Sequence, residues 1–256
     1  MAPEFLDIDS FQIIRNQWNS NTLAVDEVLN NKPGRQSGLY RAKSNGRQVF
    51  VKQYFHRHAL EKFKYLFKST RAVAEFRNNT LLHDIGTDVP NVLAMAEEKK
   101  NGIWQRSLLV LEVPQNVVTL KQYCETHGSD EFHGPLIKKL ANDIAHLHNN
   151  GVYYRDLHAG NILVSQNDAH TPRIYFVDLN EVKRQRVPKE QQCLDDLARL
   201  NAFVTASVRT RLRFLLYYLK TRNLSRQQQW SELIDQRTRS IWQRYENKHP
   251  DFEKKY

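Results

Sequence analysis

The chain has 256 residues, of which 40% are hydrophobic, 26% charged and 11% aromatic. That composition gives ample material for a real core in one or two domains and excludes collagen-like, low-complexity and mostly disordered proteins. Two cysteines, Cys124 and Cys193, make neither a disulfide framework nor an all-cysteine zinc site, and suit a reducing compartment. Thirty-eight Lys and Arg against 28 Asp and Glu leave a net charge of +10, which favours polyanionic partners: nucleic acid, an anionic membrane surface or a phosphorylated ligand. The excess is clustered. Six basic residues and one acid lie between Lys52 and Arg71, four basic residues lie in the seven positions from Lys183 to Lys189, and six with no acid lie between Arg209 and Arg226. The longest apolar runs, such as residues 214–219, are far below the roughly 20 residues of a membrane span. The first residues lack a basic region followed by an apolar stretch. The expectation is a cytosolic protein.

In chain order, residues 1–30 predict little beyond a helix or edge strand around Phe11–Ile14. Residues 37–43 and 47–54, joined through Asn45-Gly46, predict a β-hairpin, since Asn-Gly supplies a positive-φ turn. The period of two puts Phe50, Lys52 and Tyr54 on one face of the second strand and Val49 and Val51 on the other. A basic helix is predicted over 57–70 and another over 72–83, stopped by Gly86. Strands follow at 89–94 and 107–113, with a turn at 100–102 between them. Beyond Pro114 helices dominate. One begins at Thr119, and a strong one spans 135–148, where Leu136, Leu140, Ile144 and Leu147 recur at helical spacing and Gly151 supplies a left-handed stop. His146 and His148 are read as ordinary helix residues rather than metal ligands.

The chemistry follows directly. Residues 152–164 read Val-Tyr-Tyr-Arg-Asp-Leu-His-Ala-Gly-Asn-Ile-Leu-Val, and residues 173–180 read Arg-Ile-Tyr-Phe-Val-Asp-Leu-Asn. Asp156 and Asn161 are five apart, and an apolar strand ends at Asp178. The pattern resembles the catalytic loop and metal-binding aspartate of the protein-kinase-like fold. Phosphoryl transfer needs a carboxylate to orient the acceptor hydroxyl and take its proton, the role of Asp156. It also needs oxygen ligands for Mg²⁺ on the phosphates of ATP, the roles of Asn161 and Asp178. Upstream, Lys52 in Val49-Phe-Val-Lys52 stands where a phosphate-pairing lysine belongs, Glu75 on the next helix is its ion-pair partner, and the backbone near Glu112 and Val113 is placed to meet adenine. The expected fold is α+β and two-lobed: a small antiparallel-sheet lobe with one key helix over 1–113, and a mainly helical lobe over 114–256.

The departures from that pattern are specific. Tyr154 replaces the loop histidine, Leu179-Asn180 replaces Phe-Gly, Phe50 replaces a small residue beside adenine, and the phosphate loop retains only Gly34 and Gly38. About fifteen residues separate Asp178 from the next helix, beginning near Cys193, and residues 179–194 contain no Ser, Thr or Tyr. A peptide-docking activation segment ordered by phosphorylation does not fit there, so a non-peptide hydroxyl is the expected acceptor. Asp196 on that helix either braces the catalytic loop through its backbone or is an acid at a helix start.

Residues 38–225 resemble the bacterial lipopolysaccharide core kinases, the Kdo and heptose kinases. The likeness rests on the Val-Phe-Val-Lys strand, Ala74-Glu-Phe-Arg, Val118-Thr-Leu-Lys-Gln-Tyr, Tyr154-Arg-Asp with Asn161-Ile-Leu, Val-Asp-Leu-Asn followed by Lys183-Arg184, and Asp196-Leu-Ala-Arg-Leu-Asn201. It implies ATP- and Mg²⁺-dependent phosphorylation of a Kdo or heptose hydroxyl on a membrane-held glycolipid at the cytoplasmic face of the inner membrane. Arg184 and Arg186 are then candidates for gripping an acidic group of the substrate. Two other readings compete with this one. Aminoglycoside- or choline-type kinases take cationic acceptors, against the +10 balance. A non-catalytic pseudokinase would hold an anionic partner, with residues 209–220 as an interfacial amphipathic helix whose apolar side could equally be core. No zinc-finger spacing or aromatic RNA-binding signature is present, so nucleic acid is not expected as a partner.

Overall fold

A computed structural model of the chain describes residues 8–20, 23, 26–32, 34–41, 48–55, 69–100, 103–127, 134–165, 172–186 and 188–248. The chain divides into two compact units, residues 1–80 with 90–114 and residues 81–89 with 115–256. Segment 81–89 groups with the second unit because Leu82 and Val89 are buried in that unit's core. The contiguous division expected at 113/114 does not anticipate this.

The first unit opens with helix α1 (Ile8–Asn19), so the ambiguous first stretch resolves to a helix. Ile14 and Trp18, four apart, share its buried side. Strands β1 (Glu27–Lys32), β2 (Arg35–Arg41), β3 (Gln48–Phe55), β4 (Val92–Lys100) and β5 (Ile103–Glu112) form one antiparallel sheet in the order β1-β2-β3-β5-β4. The predicted hairpin forms with Leu39 opposite Phe50, and its Asn45-Gly46 turn lies outside the described residues. β3 is central and both its faces are covered. Val49 and Val51 pack with Ile14, Trp18, Leu108 and Val110, while Tyr54 packs with Ala72, Trp104, Leu109 and Leu111. β1 and β2 close tightly, Lys32 pairing with Arg35 beside Gly34 at φ 78°. β4 and β5 extend well beyond the predicted strands. Helix α2 (Arg71–Asp84) starts where the Thr70 hydroxyl accepts from the Val73 N–H at 3.3 Å and stops at Gly86, φ 77°. The basic helix expected over 57–70 falls almost wholly outside the described residues.

The second unit holds α3 (Leu120–His127), α4 (Gly134–Asn149), α5 (Glu190–Phe203), α6 (Val208–Thr221) and α7 (Gln227–Glu246). It also holds the small sheets β6-β8-β9 (Val117–Thr119, Ile162–Ser165, Ile174–Phe176) and β7-β10 (Val152–Tyr153, Lys183–Arg184). α4 buries Leu136, Leu140, Ile144 and Leu147 as its spacing predicts. After it, Gly151 has φ 80°, and a Cβ there would meet the Gln185 carbonyl oxygen at 2.0 Å. Only glycine lets the chain after Asp178 close this tightly, with the Gln185 N–H donating to the Gly151 carbonyl at 2.9 Å. α6 has two sides. Leu215, Tyr218 and Leu219 enter the core, whereas Val208, Leu212 and Leu216 are 73%, 39% and 49% exposed. Arg209, Arg213 and Lys220 are exposed on the same helix. The core reading holds for Leu215, Tyr218 and Leu219, while the other side of the helix is exposed.

Candidate active site

In the first unit, β3 aims Lys52 toward α2. Its Nζ lies 2.5 Å from Glu75 Oε1, and both side chains are 2% exposed. The Tyr54 hydroxyl donates to Glu75 Oε2 at 2.9 Å, so both carboxylate oxygens are engaged. The Phe50 ring centroid is 5.7 Å from Lys52 Nζ. A charge this deeply buried persists only with a partner of this kind, and Glu75 fixes where the ammonium points. At the end of β5 the Glu112 N–H already donates to the Asn91 carbonyl at 2.9 Å, and the Asn91 amide donates to the Glu112 carboxylate at 2.7 Å. What Glu112 and Val113 can offer adenine is therefore not the Glu112 amide.

In the second unit, the loop between β7 and β8 is fixed through its backbone. The Tyr154 and Arg155 N–H groups donate to the two oxygens of Asp196, at 2.5 and 2.7 Å. Asp196 is 1% exposed and lies in the second turn of α5, so the bracing role fits and the helix-start alternative does not. His148 Nε2 stands 3.4 Å from Asp196, and His148 Nδ1 is 2.7 Å from the Tyr218 hydroxyl. Burial works against charge on His148, but Asp196 and Cys193 outweigh it and hold its pKa above the ordinary value. The clamp lets Arg155 sit at φ 68°, a left-handed conformation that a non-glycine residue keeps only when its surroundings impose it.

The loop is tied to the metal-motif strand as well. Buried Tyr154, in the position of the expected histidine, donates its hydroxyl to the Val177 carbonyl next to Asp178. The Val177 N–H donates to the Asn161 carbonyl at 3.0 Å. The Asn161 amide donates to the Asp156 carbonyl at 3.0 Å, which directs its Oδ1 elsewhere. Asp178 also adopts a left-handed conformation, φ 63° and ψ 57°, and Asn180 donates to its Oδ1 at 2.7 Å. Asp178 and Asn161 thus offer hard oxygen donors on adjoining backbone, a set that suits Mg²⁺, which takes one or two protein oxygens and completes its shell with water and phosphate. Among the described residues no group of three His, Cys, Asp or Glu gathers into a metal cage.

His158 faces Asp156, with Nε2 3.9 Å from Oδ2. The Gly160 N–H donates to His158 Nδ1 at 3.1 Å, so the neutral ring carries its proton on Nε2, toward the carboxylate. Burial lowers the His158 pKa, Asp156 and Asp178 oppose it, and Arg199 and Lys121 add to it. These groups are therefore electrostatic neighbours. Asp156 and His158 stand in the wall of a cavity of about 970 Å³ within this unit. Arg184 and Arg186 do not line it. They are exposed on β10 and just after it. Its cations are instead Lys121, Arg199, Arg244 and Lys248, brought together from α3, α5 and the end of α7. His158 was legible as the second residue after Asp156, but no local pattern marks Arg244 or Lys248.

The model of the lipopolysaccharide kinase (Kdo/WaaP) family matches residues 16–236. The chain belongs to this family. Among curated relatives, a 3-deoxy-D-manno-octulosonic acid kinase of Vibrio parahaemolyticus is 29% identical over 129 residues, 49% of this chain and 51% of the relative. A 3-deoxy-D-manno-octulosonic acid kinase of Vibrio vulnificus is 30% identical over 146 residues, 55% and 58% of the two chains. The chain thus spans between about half and three fifths of the length of these family relatives. The solved structure titled WaaP in complex with acyl carrier protein superposes with a TM-score of 0.68 and 19% identity, over 93% of this chain and 98% of that one. The family's protein-kinase-like fold, with mixed helices and antiparallel sheet, is therefore the fold of this chain.

Proposed function

We propose that this family member is an ATP- and Mg²⁺-dependent phosphotransferase acting on a sugar hydroxyl of the lipopolysaccharide inner core, with the acidic sugar Kdo as acceptor. One observation carries the reading: Asp156 lies in the wall of a cavity of about 970 Å³, ample for a sugar, on a loop held by Asp196 and tied to Asn161 and to the backbone beside Asp178. The names of the curated relatives support Kdo rather than heptose. Lys52, held by Glu75, would pair with nucleotide phosphates. Asp178 and Asn161 would hold Mg²⁺, which when bound neutralises charge on the phosphoryl oxygens.

Asp156 orients the acceptor hydroxyl and takes its proton as the new sugar O–P bond forms. The bond from the γ-phosphorus to its bridging oxygen breaks, and ADP carries away the electron pair. Asp156 is only half-buried, with 43% of its side chain exposed, so an incoming alcohol reaches it directly. A cationic acceptor would face four basic side chains in this cavity, which disfavours the aminoglycoside- or choline-type reading.

No helix among the described residues is long and apolar enough to cross a membrane. The reading places the enzyme peripherally on the anionic cytoplasmic face of the inner membrane, and the exposed apolar and basic side of α6 supports that location.

The direct test is mass spectrometry of a purified Kdo-bearing core glycolipid incubated with ATP, Mg²⁺ and protein. The expected product is heavier by one phosphate. Asp156→Asn should lower the rate about 10²- to 10⁴-fold while ATP still binds. Wild-type rates in that variant would remove Asp156 as the base, and no product from the wild-type protein would favour a non-catalytic binding role.

A further inference from the structure

The cavity beside Asp156 has a composition that phosphoryl transfer alone does not require. Its volume of about 970 Å³ lies at the upper end for small-molecule sites and exceeds what a bare hydroxyl group needs. Lys121, Arg199, Arg244 and Lys248 line it, against Glu125 and Asp156 as its acids. Among the described residues, Lys121, Arg199 and Lys248 have no ion-pair partner. Residues 197–231, which supply Arg199 and much of the adjoining chain, contain no acid. A lining with four cations against two acids focuses field on an anion.

Arg199 is also well positioned. It lies three residues after Asp196 on α5, so the helix that clamps the catalytic loop carries this guanidinium at a fixed offset from Asp156. α7 is fastened to α5 near the cavity, where Trp242 Nε1 donates to the Ala202 carbonyl at 3.0 Å and Phe203 meets Tyr245 edge-on at 5.6 Å between centroids. Tyr245 remains 37% exposed, leaving ring surface for the C–H face of a sugar.

We infer that this cavity recognises the acid group of a carboxylated sugar, with Arg199 and Arg244 forking the carboxylate, Lys121 and Lys248 adding charge at its edge, and Tyr245 packing against the ring. The inference rests on the proposed role of Asp156 and deepens it: the acceptor is selected by its carboxylate, and the selecting residues come from α5 and the end of α7. Arginine suits the task because its planar fork matches a carboxylate in two parallel hydrogen bonds.

The test measures steady-state kinetics on a lipid-linked Kdo acceptor and on the same acceptor with its carboxyl group reduced to an alcohol. Wild-type protein should prefer the acid form. Arg199→Gln and Arg244→Gln should each raise acceptor KM about 10- to 100-fold, keep KM for ATP, and lose most of the discrimination between the two acceptors. Unchanged acceptor KM with discrimination intact overturns the inference, as does an effect confined to Arg184→Gln and Arg186→Gln. A second arm titrates free Kdo against wild-type protein and the Arg199→Gln/Arg244→Gln double variant by ligand-observed NMR. Weaker binding by the double variant supports the inference even if no phosphorylation occurs, which would defeat only the functional reading. Equal binding by both proteins overturns it.

Discussion

The two units hold their candidate site charges in opposite ways. In the first, Lys52 and Glu75 are sealed together at 2% exposure and the side chains themselves are fixed. In the second, Asp156 keeps 43% exposure, and it is the backbone around it that is fixed, through Asp196, Asn161 and Tyr154. A group that only supplies charge can be immobilised by a partner. In the proposed role Asp156 has to stay open to an incoming alcohol, so its precision is imposed through the backbone that carries it.

The largest test of this contrast is Glu75→Ala. It leaves a buried ammonium alone and should cost about 3–5 kcal/mol of stability, measured by urea unfolding. A cost below about 1 kcal/mol would mean that water or another group takes over the carboxylate's role.

Among the described residues the second unit also holds a sealed pair, His148 with Asp196, and its effect should be intermediate. Because His148 is held above its usual pKa, it binds its proton more tightly in the folded than in the unfolded chain. The stability it contributes is full below about pH 6.5 and is lost as the pH rises through the raised folded-state value. Asp196→Asn should flatten that decline and cost about 1–3 kcal/mol at low pH, seen in unfolding curves across pH. An unaltered slope would show that Asp196 does not hold the histidine's proton.

The smallest effect concerns the outward charges. Raising salt from about 50 to 500 mM should weaken binding to anionic vesicles several-fold and hardly move the stability conferred by the sealed pairs. Leu212→Ser/Leu216→Ser should weaken it further. Salt-insensitive vesicle binding would remove the electrostatic account of α6.

What could be read from the sequence was local. The β2–β3 hairpin, the α4 stripe and the Asp156–Asn161 spacing each depend on neighbours within a few residues, so periodicity and turn chemistry expose them. β1 and the outer half of β4 are edge strands without a covered face; Val28 and Leu29 are both about half exposed, and residues 97–100 read Glu-Glu-Lys-Lys, so no alternation marks them. His148 meets Asp196 and Tyr218 across 48 and 70 positions, and the cavity cations run from Lys121 to Lys248, which no pattern along one segment records. Arg184 and Arg186 lie six and eight residues after Asp178, yet proximity in sequence does not put them on the cavity wall.

The glycine at position 151 carries a consequence for control. Its contact with Gln185 pins the stretch that follows Asp178 at that point, and the sequence from there to α5 has no hydroxyl side chain. Phosphorylation therefore has no side chain to modify between Asp178 and the start of α5. A switch of the kind that orders a phosphorylated activation segment is thus replaced here by a stretch pinned through its backbone.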